Sequence, residues 1–324
     1  MAYSGPSVCG AFDMVVWQLL ALAVAAIALP VAVPWLGFVF TVAIGKGLAA
    51  LGVAMLLRGG LISIGHALYV AIGAYATAFL MLSIGMNELF LLLICATAIT
   101  TAAGLVIGAF MARYRAIFFA MLNLAISMVF FTLLSKLYNL TGGSDGMRVA
   151  TPTVLGLTLD RAKFDLVLQF SSVTLMVAVA LLIDRYLKSP LGEALTAIHA
   201  NEVRLEYLGV SARGVILAAY TISAALAGLG GAITAVAIGH VVPELSYWTF
   251  SSQLVLIAVL GGITGVPGAF IGAFFFELVR TFAADFAPDA WNAIVGAALL
   301  IVIFFLPQGL YGLLQRVKTR GART

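Results

Sequence analysis

The sequence has 324 residues, of which 63% are hydrophobic and 9% charged, with a mean hydropathy of +1.15. Soluble domains carry about 25% charged residues, so this composition excludes an ordinary soluble enzyme or binding module and points to an integral membrane protein. The formal net charge of +4 implies no nucleic-acid partner, because in a membrane protein the placement of Lys and Arg matters more than their sum.

Continuous apolar runs, rather than alternating segments of about ten residues, argue against a β-barrel. They predict an all-α polytopic protein whose helices satisfy their own backbone groups in the lipid bilayer. The opening MAYSGPSVCGAFDM lacks a cationic region and a cleavage site, so the first apolar block is expected to be retained. In chain order, ten spans are predicted at about 14–34, 37–57, 63–84, 88–111, 116–137, 165–186, 214–238, 250–263, 267–285 and 290–307. A straight helix needs about 20 residues to cross the hydrocarbon layer. The eighth run is too short for that and ends at GGITGVPG, which predicts half of a broken or re-entrant element buried among its neighbours. All ten belong to one membrane domain over 1–324, and no internal repeat is legible. Cys9 and Cys95 are the only cysteines, which leaves no disulfide framework and reads as small packing residues.

Between the sixth and seventh spans the apolar pattern is interrupted by SPLGEALTAIHANEVRLEYLGVSARG, residues 189–214. This segment is too polar for lipid. If it is cytoplasmic, Arg58, Arg113, Arg115, Arg185, Lys188, Arg204, Arg213, Arg316, Lys318, Arg320 and Arg323 all fall at cytoplasmic ends. Lys136, Arg148, Arg161, Lys163 and Arg280 then fall outside. Positive charge is biased to cytoplasmic loops, so this orientation, with both termini cytoplasmic, is the expected one. The interruption reads as a helix over PLGEALTAIHANEVRLEYLG closed by Gly209, followed by the start of the next span. Leu191, Ala194, Leu195, Ile198, Val203, Leu205 and Leu208 give it an apolar side. Glu193, Asn201, Glu202, Arg204 and Glu206 give it a polar one. That polar side is largely acidic and uncharged, which suits a protein partner better than an anionic membrane surface.

Few residues suggest chemistry. His66, His199 and His240 stand in unrelated contexts with no metal-ligand spacing, and no phosphate-binding G-x-x-x-x-G-K-[ST] is present. Catalysis and nucleotide hydrolysis by this chain are therefore not expected, nor is a metal site. A self-sufficient transporter would call for paired intramembrane carboxylates or a proton relay, and only Lys46 is a clear candidate charge. Lys46 lies about nine residues into the second span, roughly 14 Å deep at 1.5 Å per residue. An ionisable group at that depth is costly and invites a functional reading. Two readings stay open: Lys46 attracts a carboxylate solute, or it is structural, paired with a carbonyl or reaching to an interface.

SIGHALYVAIGAYATAFL, residues 63–80, places Ser63 and His66 in an otherwise apolar helix, where small and hydrogen-bonding residues permit close packing. GGITGVPGAFIGAFFFE contains Gly261, Gly262 and Gly265 before Pro267, a packing stripe or a hinge along a pathway. Glu277 with Arg280 reads as an ion pair on one helix face. The loop over 138–164 carries TGGSDG, with Gly142, Gly143, Ser144 and Asp145 as an exterior turn or docking loop.

Four stretches in order carry a family resemblance: SIGHALYVAIGAYATAFL, YNLTGGSDGM, SPLGEALTAIHANEVRLEYLGVSARGVILAAYTISAALAGLGGAI, and LGGITGVPGAFIGAFF with FLPQGLYGLL. Together they resemble the M-type permease subunits of branched-chain amino acid type ABC importers, over about residues 45–314. The resemblance implies a second related permease subunit, two cytoplasmic ATPase subunits that bind ATP and Mg, and a periplasmic or extracellular solute-binding protein. This chain would itself bind no cofactor, in the cytoplasmic (inner) membrane of a bacterium.

The resemblance also implies a coupling segment over about 187–213, with Gly192, Glu193, Ala197, Asn201, Glu202 and Gly209 facing the ATPase. Lys46, Ser63, His66, Gly261, Gly262 and Gly265 would be pathway candidates, and the 142–145 turn would face the binding protein. The chain departs from the family pattern at AMLLRGGLISIGH, where Arg58 stands and the family's Asn and Tyr do not. Members import branched-chain amino acids, urea, short amides or aromatic carboxylates.

Overall fold

In the computed structural model, residues 8–33, 35–288, 290–306 and 309–312 are described. The architecture is organised around α2 (Leu36–Arg58), which is buried without a break from Val39 to Leu56. α1 (Val8–Ala32) lies against it and against α7 (Arg161–Leu187), where Gln169 Nε2 donates to the Ala26 carbonyl at 2.7 Å. α3 (Ala67–Ile84), α4 (Leu89–Met111) and α9 (Ala212–Ile238) form the other half of the core. α10 (Trp248–Gly261) and α11 (Val266–Phe286) pack on the far side of α2. α5 (Ala116–Lys136) and α12 (Trp291–Phe305) are peripheral. The polar interruption forms α8 (Pro190–Tyr207), and its end of the bundle is called here the α8 end. At the opposite end sit the short α6 (Tyr138–Thr141), a 3₁₀ turn over Gly143–Asp145, and a two-residue antiparallel ladder. The ladder joins β1 (Met147–Arg148) to β2 (His240–Val241).

Among the described residues, seven helices are long and apolar enough to cross a membrane, and three shorter apolar stretches accompany them: Val15–Pro30, Trp248–Gly261 and Trp291–Val302. The protein is a multi-pass membrane protein. Glycine allows its central helices to approach backbone to backbone, the packing that drives helix association where no hydrophobic effect acts between helices. Gly52 meets Ser223, and Gly45 meets Gly230 and Thr234. The partner numbers fall as the α2 numbers rise, so α2 and α9 are antiparallel.

The third predicted span begins too early. Residues 59–66 are not helical, because they lead the chain back into the bundle. Gly59 and Gly60 lie against Leu195 and His199 of α8, whereas His66 reaches Ser223. Ser223 is 11 residues into α9, roughly 16 Å in at 1.5 Å per residue. α3 thus starts in mid-bundle, where the Ala67 amide donates to Ser251 Oγ at 2.9 Å. From the opposite end, the segment between β2 and α10 turns inward in a similar way. Ser127 Oγ, in the middle of α5, donates to the Ser246 carbonyl at 2.7 Å, just before α10 begins. The eighth span is therefore the half-length element that its sequence predicts.

A long helix, a re-entrant segment and two further helices thus occur twice, once from α2 and once from α9. Because α2 and α9 are antiparallel, the two copies run in opposite senses. This is the inverted-repeat arrangement of many transporters, and no residue pattern in the sequence discloses it. Arg316, Lys318, Arg320, Arg323 and the side chain of Cys9 lie outside the described residues, as do the first seven residues and parts of FLPQGLYGLL.

Candidate functional site

The predicted site residues separate into four places. The first is mid-bundle. Lys46 Nζ is 2.7 Å from Glu277 Oε2 across the α2–α11 contact, and Arg280 Nη1 is 2.8 Å from Glu277 Oε1. Lys46 and Glu277 are each about 95% buried, and the ammonium lies 5.8 Å from the Phe250 ring centroid and 5.6 Å from that of Phe276. Arg280 also lies over Trp291, 5.5 Å from its centroid, which ties α11 to α12. Neither sequence reading of Lys46 anticipated a carboxylate 231 residues away. The ammonium is already neutralised and hydrogen-bonded, an arrangement that clamps α2 to α11.

The second place is the re-entrant segment. Ser63 Oγ and the His66 ring are 3.0 Å apart, and the other His66 nitrogen is 2.7 Å from Ser223 Oγ. All three residues are fully buried. Beside them Tyr69 Oη donates to Tyr220 Oη at 3.0 Å, and Tyr220 Oη bonds Asn123 Oδ1. This network joins α3, α5 and α9 at mid-depth. Tyr69 and Tyr220 carried no sequence signal, because aromatic residues in apolar runs read as core, whereas Asn123, a lone amide in the apolar run of α5, is a signal that the sequence reading passed over. His66 is thus held from both sides by neighbours in a packed interior.

The third place is the turn between α10 and α11. Gly261 abuts the Gly268 backbone, Gly262 adopts φ +98°, and Gly265 lies against the Tyr311 ring. Arg58 Nε donates to the Ile263 carbonyl at 2.7 Å, so Arg58, where the chain departs from the family pattern, secures this turn to the end of α2. Grooves are found elsewhere. One of about 530 Å3 between α3, α4 and α5 is lined by Leu68, Ile72, Val106, Ile126, Phe130 and Leu133 among other apolar groups. Such a lining has no polar group to orient a solute and suits lipid or another helix.

The fourth place is α8. It is one helical run with a break at Asn201, whose backbone is extended and whose Oδ1 accepts from the Arg204 amide at 3.0 Å, starting a short second helix. Ala194, Leu195, Ile198 and Leu205 are buried on the bundle as expected. Leu191, Val203 and Leu208, predicted to share that side, are exposed, and so is Tyr207, at 88%. The break at Asn201 rotates the second piece, which is why Val203 and Leu208 leave the side that Leu205 still shares. Gly192 is buried against the Tyr186 carbonyl and Leu187 backbone, where a side chain would collide. Glu193, Asn201 and Gly209 are exposed, while Ala197 and Glu202 are half-buried. At the other end of the molecule, left-handed Gly142 and Gly143 open the 3₁₀ turn and present Ser144 and Asp145 to the exterior.

Residues 35–304 match the permease component of branched-chain amino acid transport systems. The chain belongs to that family. Among its curated relatives, the high-affinity branched-chain amino acid transport system permease protein LivM of Escherichia coli is 29% identical, over 78% of this chain and 64% of LivM. BraD of Pseudomonas aeruginosa is 30% identical over 42% of this chain and 44% of its own length. LivH of Escherichia coli is 30% identical over 43% and 45%. The chain therefore spans less than two thirds of the relatives it matches. No solved structure matches it. On the second piece of α8, Val203, Tyr207 and Leu208 are exposed beside Arg204 and Glu206.

Proposed function

We infer that the chain is the membrane-spanning permease subunit of an ATP-driven importer for branched-chain amino acids or a related small polar or carboxylate-bearing solute. The observation that carries this reading is α8: an amphipathic segment outside the spans, with Leu191, Val203, Tyr207 and Leu208 exposed beside Glu193 and Glu206 on the outside of a family permease. An apolar face rimmed by charge suits a protein groove. The partners proposed are a second related permease, two ATPase subunits carrying ATP and Mg, and a solute-binding protein at the Ser144–Asp145 end. The α8 end is cytoplasmic in this reading, supported by Arg58, Arg115, Arg185, Lys188, Arg204 and Arg213 gathered there, and the membrane is the bacterial inner membrane.

The test is uptake into vesicles. Solute should accumulate only when the ATPase subunits and ATP are supplied with the permease pair and binding protein; uptake by this chain alone overturns the assignment. Gly209 adds a sharper expectation. Its φ of +82° closes α8, and proline, fixed near −65°, cannot adopt it. Gly209→Pro should insert normally while abolishing most uptake per ATP hydrolysed, measured in the same vesicles.

A further inference from the structure

The break at Asn201 leaves Glu202 as the first residue of the second α8 piece, and a charged contact ties that piece to the bundle. Arg115, between α4 and α5, donates from Nε to Glu202 Oε2 at 2.9 Å and from Nη2 to Oε1 at 2.7 Å. This fork-to-fork geometry fixes orientation as well as distance. The remaining nitrogen, Nη1, donates to the Ala112 and Tyr114 carbonyls at 2.7 and 2.9 Å. The guanidinium thus rivets Glu202 to the backbone of the α4–α5 turn. Directly after it, Ala116 has φ +49°, a conformation that a residue with a side chain adopts at a cost.

Beyond that joint runs α5, whose buried residues are only Phe119, Asn123, Ser127 and Leu134. Two of these four are polar and reach the mid-bundle. Asn123 bonds Tyr220 Oη in the network beside His66, and Ser127 bonds the carbonyl of Ser246 in the second re-entrant segment. A sparsely buried helix, jointed at its start, bonded to α9 and to the second re-entrant segment, and packed at Asn123 against Gly65 of the first, is built to be moved as a rod. We propose that Arg115 and Glu202 are positioning residues that deliver movement of the 202–207 piece to α5, and through Asn123 and Ser127 to the centre of the bundle. The proposal rests on α8 being the surface that an ATPase grips. It divides α8 into two working parts, with residues 190–200 staying on the bundle and 202–207 driving α5.

The proposal is tested by a double-mutant cycle in the reconstituted complex with Arg115→Gln, Glu202→Gln and the combined variant. The two side chains are 28% and 30% exposed, so neither substitution strands a buried charge, and all three variants are expected to fold and to retain the ATPase subunits on purification. Each single variant should lower solute imported per ATP hydrolysed about fivefold, the lower range of measured couplings between sites. The double variant should be no worse than the poorer single one, because one link is lost once.

Wild-type import ratios in the single variants overturn the proposal. So do effects that multiply to about 25-fold in the double variant, which show independent roles, and loss of the ATPase from Glu202→Gln alone, which makes Glu202 a docking contact. A wild-type complex that shows no ATP-dependent uptake overturns the permease reading itself, and is recognised before any variant is compared.

Discussion

Glu277→Leu should leave little folded protein. The substitution strands the Lys46 ammonium in a site about 95% buried, and breaking a buried ion pair by removing one partner costs about 3–5 kcal/mol. Lys46→Met should be far milder, since Glu277 keeps Arg280 at 2.8 Å. The combined Lys46→Met and Glu277→Leu chain should recover most of the loss, because a buried pair replaced by apolar groups of similar size is close to neutral. The fraction of protein that stays monodisperse in detergent after heating measures all three. Uptake by the double variant then separates structure from transport. A clamp predicts retained uptake, and a lysine that recruits a carboxylate solute predicts a folded chain without it.

Gly73→Leu should fail for a different reason. A side chain at Gly73 would meet the Gly228 carbonyl and Cα, and one at Gly228 would meet Thr100. α9 is thus held between α3 and α4 with no room at either contact. Overpacking a core costs about 1–3 kcal/mol where flexible side chains can yield; backbone against backbone cannot yield, so the cost lies above that range. Gly214→Ala, in the first turn of the same helix, meets nothing closer than 3.8 Å. It should be harmless or stabilise α9 by up to about 1 kcal/mol. Comparable heat resistance of the Gly73 and Gly214 variants would show that the crossing is looser than its geometry.

The spans were legible because lipid imposes one rule on every helix, a run of about 20 apolar residues. The half-length α10 and the polar α8 were legible as exceptions to it. What the sequence concealed lies between elements rather than within them. SIGH suits a membrane helix by composition, and only the contacts of His66 with Ser63 and Ser223 explain why residues 59–66 bend inward instead. Lys46 stood out as an expensive charge, yet nothing near it in the chain names Glu277. Asn201 is inconspicuous in a polar helix until its side chain is seen starting a second one. The inverted repeat is legible only from the opposite senses of α2 and α9, and those appear only where Gly52 meets Ser223 and Gly45 meets Gly230.

The Lys46–Glu277 pair also dates the assembly of the molecule. Its partners are 231 residues apart, and ribosomes add about 5–20 residues per second, so α2 leaves the ribosome about 10–50 seconds before the carboxylate that neutralises it. Entering the bilayer with an unpaired lysine near its centre carries a penalty of about 2.5–3.5 kcal/mol. α9, which packs against α2 at Gly45 and Gly52, is made before α11, so the helix is already packed while its lysine still waits for a carboxylate. The last third of the chain thus supplies the charge that α2 lacks on insertion, which binds membrane insertion and tertiary folding into one process.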